Sequence, residues 1–173
     1  MAELREIISA DEIKARIKEL AQEISADYKG SSPVLLGVLK GAFLFLADLV
    51  RELSIDMKID FVWLSSYGDA TSSSGRVILH TPPRLNLMGE DVLVVEDIVD
   101  TGYSMAFLTQ YLTYEQKVAS MKICTLIDKP ERREIAVETD YVAFSNVEGY
   151  LVGYGLDFAD RYRELPAIYH VET

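Results

Sequence analysis

Apolar residues recur at helical spacing in three parts of the chain. Ser9 and Glu12 match the S-x-x-E pattern of a helix-capping box. The apolar residues after it lie three or four positions apart: Ile13, Ile17, Leu20 and Ile24. This spacing predicts an amphipathic helix that ends near Asp27. Residues 41–53 and 103–114 predict two further helices, the first of them with an apolar face.

Short, nearly continuous apolar runs lie between these helices and predict strands. They cover residues 34–39, 58–65, 76–80, 91–96, 121–127 and 140–144, with weaker ones at 151–153 and 167–171. The β-branched run at 91–96 is typical of a strand covered on both faces. Alternating strands and helices predict an α/β domain with a mainly parallel, twisted sheet flanked by helices. In such sheets ligands bind beyond the carboxyl ends of the strands.

The composition suits a single globular domain over residues 1–173. Apolar residues make up 49% of the chain and charged residues 26%. The formal net charge of -11 argues against nucleic acid or anionic lipid as a partner, because like charges repel. The first residues form no apolar signal block, and the apolar stretch at 34–50 contains Lys40 and Asp48. We therefore expect a cytoplasmic protein without a membrane span.

Cysteine and histidine offer little chemistry in this chain. Cys124 is the only cysteine, and it lies in an apolar run. We interpret it as a core residue in preference to a nucleophile, and no internal disulfide can form. His80 and His170 are the only histidines, and neither has a Cys or His nearby in sequence, which argues against a zinc site.

The segment 92–105 carries the clearest chemical signal. A buried strand ends in Glu96 and Asp97, a third carboxylate follows at Asp100, and a Thr-Gly-x-Ser sequence then opens a helix. Free amides at a helix start, together with two hydroxyls, can cradle a phosphate, while the carboxylates suit sugar hydroxyls or a general base. Neither a P-loop nor a dinucleotide-binding glycine motif occurs. Alternatively, the same residues are ordinary turn and cap residues.

The sequence V-L-V-V-E-D-I-V-D-T-G at 92–102 resembles the phosphoribosyl-pyrophosphate motif of type I phosphoribosyltransferases. Four further segments resemble the hypoxanthine-guanine branch of that family in order and spacing: 38–43, 65–68, 126–133 and 151–158. The resemblance implies the type I phosphoribosyltransferase fold, with a small hood region. It also implies a mobile loop that starts at Ser66 and Tyr67 and closes over the site, although a disordered surface loop would have the same composition.

The resemblance implies transfer of 5-phosphoribosyl from phosphoribosyl pyrophosphate to hypoxanthine or guanine, a purine-salvage reaction giving IMP or GMP and pyrophosphate. By resemblance, Glu96 and Asp97 hold the ribose hydroxyls directly or through Mg²⁺, and Asp100 is the general acid-base residue at the purine N7. The implied phosphate ligands are Asp100, Thr101, Gly102, Tyr103 and Ser104 for the 5′-phosphate, and Leu39, Lys40, Gly41 and Arg163 for pyrophosphate. A cis peptide bond is implied before Lys40.

On the base side, the resemblance assigns Lys129 to the 6-oxo group of the purine. It assigns Tyr150 to stacking on the base, Leu151 to backbone hydrogen bonds with the purine edge, and Asp157 to a Mg²⁺ that also contacts pyrophosphate. The implied metal ligands are thus Glu96, Asp97 and Asp157.

Several of these residues also fit simpler interpretations. Lys40 could be an ordinary cation at the end of a strand, Lys129 could be a surface lysine in a charged run, and Arg163 could be a solvated side chain.

The sequence departs from the family pattern in two places. Tyr103 is bulky for a phosphate loop, and residues 144–149 differ from the usual sequence before the purine-stacking aromatic.

Three rival functions share parts of this pattern. An RNA-binding regulator of pyrimidine genes on the same fold would keep the phosphate motif but would need a basic surface. A non-catalytic ligand-binding protein would be expected to lose Asp100 or the lysine loop. A xanthine-preferring enzyme would differ in backbone contacts that the sequence does not reveal.

The resemblance also implies a homodimer or homotetramer. The apolar helix at 42–53 could supply the subunit interface, or its apolar face could belong to the core.

Overall fold

The computed structural model describes residues 3–67 and 76–172. In chain order its elements are β1 (Glu3–Ile8), α1 (Ala10–Asp27), β2 (Val34–Leu39), α2 (Phe43–Glu52), β3 (Lys58–Tyr67), β4 (Arg76–Thr81), β5 (Asp91–Val99), α3 (Tyr103–Gln110), β6 (Ser120–Asp128), β7 (Tyr141–Ser145), β8 (Leu151–Val152) and β9 (Ile168–Glu172). A π-helical turn (Tyr111–Glu115) follows α3, and a 3-10 turn (Pro130–Arg132) follows β6.

Six strands form the main sheet in the order β4-β3-β2-β5-β6-β7. All neighbours pair in parallel except β4, which runs antiparallel to β3 at one edge. The central strand β5 is buried on both faces. Leu93 and Val95 belong to the core on the side of α1 and α2, whereas Val92 and Val94 belong to the core on the side of α3. The predicted α/β architecture with a mainly parallel sheet is therefore confirmed.

Helix α1 begins at the capping box that the sequence predicts. The Glu12 amide donates to Ser9 Oγ at 3.3 Å, and the Ser9 amide donates to Glu12 Oε2 at 2.8 Å. These reciprocal bonds satisfy amides that have no partner within the helix. The predicted apolar face is the buried one: Ile13, Ile17, Leu20, Ala21 and Ile24.

A second sheet, in the order β1-β9-β8, forms the hood that the family resemblance implies. Both of its pairs are antiparallel. The sequence pattern did not indicate β1, because Glu3, Arg5 and Glu6 are charged and exposed and the strand is held mainly by backbone pairing. The hood packs on the helical layer, since Ile8 and Ile168 share one apolar core with α1 and α2.

Strand β5 continues past its predicted end at residue 96. Its pairing with β6 extends to Val99 opposite Asp128, so Asp97 lies inside the strand and not in the turn expected after residue 96. Backbone pairing with the neighbouring strand therefore outweighs the turn preference of adjacent acidic residues.

Strand β3 likewise extends through Ser66 and Tyr67, which pair with β4. Residues 68–75, the remainder of the predicted mobile loop, lie outside the described residues. Helix α2 begins at Phe43, slightly later than predicted, and α3 ends at Gln110 because a π-helical turn completes the predicted helix.

Cys124 is fully buried in β6, which agrees with its interpretation as a core residue. Burial raises the pKa of its thiol far above the usual range, so the reactive thiolate is suppressed. Within the ranges 3–67 and 76–172, the helices are too short or too polar to cross a membrane.

Truncation of Leu93 tests how much the central strand contributes to stability. Leu93 is completely buried, and we expect Leu93→Ala to lower the free energy of unfolding by about 2–5 kcal/mol, because it removes apolar contacts and leaves a cavity. Leu85→Ala is the matched control, since Leu85 is 37% exposed and should lose less than half as much. Urea denaturation followed by circular dichroism measures both. Equal losses would contradict the assignment of β5 to the core.

Candidate active site

The carboxyl ends of β2, β5 and β6 bring most of the candidate residues to one edge of the main sheet. Lys40 follows β2, Asp100 follows β5 and Lys129 follows β6. The Lys129 amide donates to the Val99 carbonyl at 3.0 Å, which places the segments after β5 and β6 side by side. This is the edge at which parallel sheets bind ligands.

Two adjacent carboxylates, Glu96 and Asp97, lie at the centre of this edge. Glu96 is buried, and its Oε1 accepts from the Asp97 amide at 3.0 Å, while Asp97 Oδ1 accepts from the Ile98 amide at 2.8 Å. Burial, with the neighbouring Asp97 charge, raises the pKa of Glu96 well above its usual range. Burial also raises the pKa of Asp97, although the Arg163 guanidinium opposes this. A bound cation or sugar hydroxyls would relieve this unfavourable charge density.

The loop Leu39-Lys40-Gly41 lies directly against these carboxylates. The peptide bond between Leu39 and Lys40 is cis, as the resemblance implies. A Cβ atom at position 41 would overlap the carboxylate of Asp97, so a larger residue there would displace that side chain. Position 155 in the hood is equally close to the loop, because a Cβ atom there would overlap the carbonyl oxygen of Gly41.

Charged residues of the hood surround the same loop. Arg163 Nη1 donates to the Gly155 carbonyl at 2.7 Å, and its Nη2 lies 2.8 Å from Asp157 Oδ1. Lys40 Nζ lies 3.0 Å from Asp160 Oδ1. Arg163 is thus held in place by the hood and is not the freely solvated side chain of the simpler interpretation. Asp160 is part of this group, and sequence reasoning did not identify it.

Residues 101–104 form the turn into α3. Gly102 adopts a φ of 94°, which is the left-handed region that glycine enters without steric cost, and a Cβ atom there would overlap the Ile135 carbonyl. The first amides of α3 are left free of intrahelical partners and can donate to an anion. Ser104 Oγ lies 3.5 Å from Ser66 Oγ, so the end of β3 reaches this cradle.

Tyr103 turns its side chain to the neighbouring segment. Its hydroxyl donates to Glu134 Oε2 at 2.9 Å, and the amides of Glu134 and Ile135 donate to the Thr101 carbonyl at 2.9 and 3.0 Å. The Tyr103 side chain therefore connects the turn at residues 101–104 to the segment that follows β6. The backbone amide of Tyr103 remains part of the turn.

Asp100 is held by the segment that follows Lys129. Its Oδ1 lies 2.6 Å from Arg132 Nε, and its backbone carbonyl accepts from Arg133 Nη1 at 3.0 Å. Arg133 also pairs with the part-buried carboxylate of Asp128. Sequence reasoning did not identify either arginine as a site residue. Their only signal was a place in the segment 126–133, which reads as a charged run.

Lys129 is a buried residue, with only 5% of its surface exposed. Its Nζ donates to the Gly149 carbonyl at 2.6 Å. Burial lowers the pKa of Lys129, while the nearby Asp100 carboxylate acts in the opposite direction. The interpretation of Lys129 as a surface lysine is therefore wrong, because its side chain is buried and its ammonium group donates to the segment that leads into β8.

An exposed aromatic ring follows directly after Gly149, the residue whose carbonyl Lys129 contacts. Tyr150 follows Gly149, leaves 46% of its surface exposed, and makes an edge-to-face contact with Phe158 at 5.3 Å between ring centroids. Leu151 follows in β8, where it is buried and pairs with His170. An exposed ring next to a buried ammonium group can stack on a flat ligand that also accepts a hydrogen bond.

The structure thus places the phosphate, sugar and base candidates around one edge. The side chain of Tyr67 is the one candidate that lies outside the described residues. Within those residues no group of three or more His, Cys, Asp or Glu side chains forms a metal cage.

Known proteins of one family match this chain. A model of the phosphoribosyl transferase domain matches residues 5–159. The hypoxanthine-guanine phosphoribosyltransferase of Bacillus subtilis is 41% identical over 94% of this chain and 89% of its own length. The bifunctional protein TilS/HprT of Listeria innocua is 44% identical over 94% of this chain, which spans only 25% of that relative.

Solved structures agree with the sequence relatives. The crystal structure of a hypoxanthine-guanine phosphoribosyltransferase from Bacillus anthracis superposes with a TM-score of 0.92 at 42% identity, covering 98% of this chain and 100% of the other. The chain therefore belongs to the phosphoribosyltransferase family, in its hypoxanthine-guanine branch, which confirms the family and the type I fold expected from its sequence.

Substitution of Gly155 tests the contact between hood and loop. We expect Gly155→Ala to lower the free energy of unfolding by at least about 1 kcal/mol more than Gly89→Ala. Both glycines have positive φ, so both variants incur backbone strain, but position 89 opens to free space whereas position 155 faces the Gly41 carbonyl. Thermal and urea unfolding measure the difference. Equal destabilisation would show that the hood can move off the loop at no cost.

Proposed function

We propose that this protein is a purine-salvage enzyme that transfers 5-phosphoribosyl from phosphoribosyl pyrophosphate to hypoxanthine or guanine. The products would be IMP or GMP and pyrophosphate. The observation that carries the proposal is the buried Lys129 ammonium beside Asp100 and the exposed Tyr150 ring, next to a phosphate cradle at the same sheet edge. The relatives named for this activity support it.

The phosphate and sugar side would position the donor substrate. The turn at 101–104 would hold the 5′-phosphate through its amides and hydroxyls, and Lys40 with Arg163 would hold the pyrophosphate group. Glu96 and Asp97 would accept hydrogen bonds from the ribose hydroxyls. Because displacement at the anomeric carbon passes through an oxocarbenium-like state, catalysis depends on holding the leaving group and the base in line.

The base side would select 6-oxopurines. Lys129 would donate to the 6-oxo oxygen, and Tyr150 would stack on the ring while Leu151 offers backbone hydrogen bonds. The amino group of adenine cannot accept this bond. One donor of the buried ammonium would then lack a partner, which is costly, so adenine should be rejected. Asp100 would take or return the proton at purine N7 as a general acid-base residue.

The donor set fits Mg²⁺. Glu96, Asp97 and Asp157 offer hard carboxylate oxygens, and burial raises the pKa of the first two, so a bound cation would favour their charged forms. Mg²⁺ favours one or two carboxylates plus substrate oxygens over a cage made of protein alone, which suits the absence of such a cage among the described residues. When bound, Mg²⁺ would neutralise charge that develops on the pyrophosphate.

The rival functions have less support. An RNA-binding regulator would need a basic surface, whereas the chain carries a net charge of -11. A ligand-binding protein without catalysis would not need Asp100, which Arg132 holds at the sheet edge. A xanthine-preferring enzyme would contact the 2-position of the purine through backbone carbonyls, and the choice of base in the assay distinguishes it.

Ser66, which lies beside Ser104 of the proposed 5′-phosphate site, would begin the loop that excludes water.

Steady-state assays with phosphoribosyl pyrophosphate and Mg²⁺ test the proposal directly. We expect nucleotide formation with hypoxanthine, guanine or both, and none with adenine or uracil. Removal of Mg²⁺ by a chelator should abolish turnover. Product from uracil alone would favour the pyrimidine regulator, and product from xanthine alone would favour the xanthine-preferring enzyme.

Substitution of Asp100 tests its catalytic role. We expect Asp100→Ala to keep the fold, since the carboxylate is 37% exposed, and to lower kcat by about a hundredfold or more. Circular dichroism checks the fold. The control is Asp56→Ala at a site far from this sheet edge. Unimpaired turnover of Asp100→Ala would remove this residue from the mechanism.

We further propose that the chain forms one cytoplasmic domain that assembles as a homodimer or homotetramer. Pairing of β1 with β9 joins the two ends of the chain in the hood, which supports a single domain. A single buried thiol suits a reducing compartment. The apolar face of α2 is core, because Phe45, Leu46 and Leu49 are buried.

The exposed face of β3 is a better candidate for the subunit interface. Alternate residues Ile59, Phe61 and Trp63 point to one side of the sheet and leave 46%, 40% and 40% of their surface exposed. We expect Trp63→Glu to give monomers in sedimentation velocity experiments at micromolar concentration. Met88→Glu is the control, since Met88 is 62% exposed outside this strand. A monomeric wild-type protein would contradict the proposal.

A further inference from the structure

Asp160 bridges the two cations assigned to pyrophosphate. Its Oδ1 lies 3.0 Å from Lys40 Nζ and 3.4 Å from Arg163 Nη2. One oxygen between an ammonium and a guanidinium occupies the position that a phosphate oxygen would take between the same groups. The two cations also hold the pKa of Asp160 below its usual range, with the Lys40 hydrogen bond as the largest cause.

The local chain geometry directs Asp160 toward these cations. Ala159 and Asp160 have φ values of 52° and 59°, and Phe158 pairs with Arg161 across a tight turn. The Asp160 amide donates to Asp157 Oδ2 at 2.8 Å, which fixes the start of the turn. The Asp160 side chain nevertheless remains 70% exposed, so its carboxylate can move into water at little cost when another anion arrives.

We propose that the Asp160 carboxylate is an internal substitute for a phosphate oxygen of pyrophosphate. It neutralises Lys40 and Arg163 in the free enzyme and keeps both side chains in place, and the pyrophosphate group of the substrate or product displaces it. Asp160 is therefore a positioning residue that competes with pyrophosphate and sets how tightly the enzyme binds it. This inference rests on the proposed function, because it takes Lys40 and Arg163 as pyrophosphate ligands.

Asp157 differs from Asp160 in the same turn. Its side chain is 31% exposed and holds both the Arg163 guanidinium and the Asp160 amide. Loss of Asp157 would therefore disorder the turn. Loss of the Asp160 charge would release Lys40 and weaken one contact of Arg163, which Asp157 and the Gly155 carbonyl still hold. This difference makes Asp160→Asn an informative variant.

Calorimetric titration of inorganic pyrophosphate, with and without Mg²⁺, tests the inference. We expect Asp160→Asn to bind pyrophosphate about threefold to tenfold more tightly than the wild type. A change of this size is expected when an exposed ion pair no longer competes with pyrophosphate for the same cations. The KM for phosphoribosyl pyrophosphate should fall by a similar factor, while the KM for hypoxanthine stays unchanged. Asp160→Glu keeps the carboxylate and should bind like the wild type.

The charge control is Glu115→Gln, which removes one negative charge in the turn after α3 and should leave pyrophosphate affinity unchanged. Unaltered or weaker binding by Asp160→Asn would overturn the inference. Weaker binding only when Mg²⁺ is present would also overturn it, because Asp160 would then be a metal ligand.

Lys40→Met separates this inference from the proposed function. If Lys40→Met weakens pyrophosphate binding but Asp160→Asn does not strengthen it, Lys40 is a pyrophosphate ligand as proposed, and the inference that Asp160 competes with pyrophosphate is wrong. If the wild-type protein does not bind pyrophosphate under either condition, both the site and the inference are wrong.

Discussion

The close approach of Gly41 and Gly155 joins the two sheets of this molecule. A side chain at position 155 would overlap the Gly41 carbonyl, and a side chain at position 41 would overlap Asp97. The loop after β2 therefore lies between the side chain of Asp97 on one side and the backbone of the hood on the other. This packing brings the carboxylate of β5, the lysine after β2 and the arginine of the hood close together.

The elements of the main sheet could be predicted from the sequence, because their apolar periodicity and their burial have the same cause. Helix α1 and the central strand β5 show this most clearly. Strand β1 could not be predicted, because its stability comes from backbone pairing with β9 at the opposite end of the chain. The extension of β5 through Glu96 and Asp97 likewise depends on its neighbour β6.

The location of the candidate residues could be predicted where they directly follow the strands β2, β5 and β6, because the carboxyl ends of parallel strands meet at one edge. The ion pairs that hold the site were not predictable, because they join residues far apart in sequence. Asp100 and Arg132 are 32 positions apart, and Lys40 and Asp160 are 120 apart. Lys129 is a related case. Its buried ammonium group contacts Gly149, 20 positions away, whereas the charged residues around Lys129 in sequence suggest an exposed side chain.

The pairing of β1 with β9 has a consequence for how the molecule is made. In the hood, the first described strand pairs with the last, so β1 has no partner until residues 168–172 have been synthesised. A nascent chain can form the main sheet with its cluster of carboxylates before residues 168–172 exist, whereas the second sheet cannot be completed until then. The order of synthesis would therefore separate the formation of the two sheets, and a chain truncated before residue 168 would keep the main sheet but leave β1 unpaired.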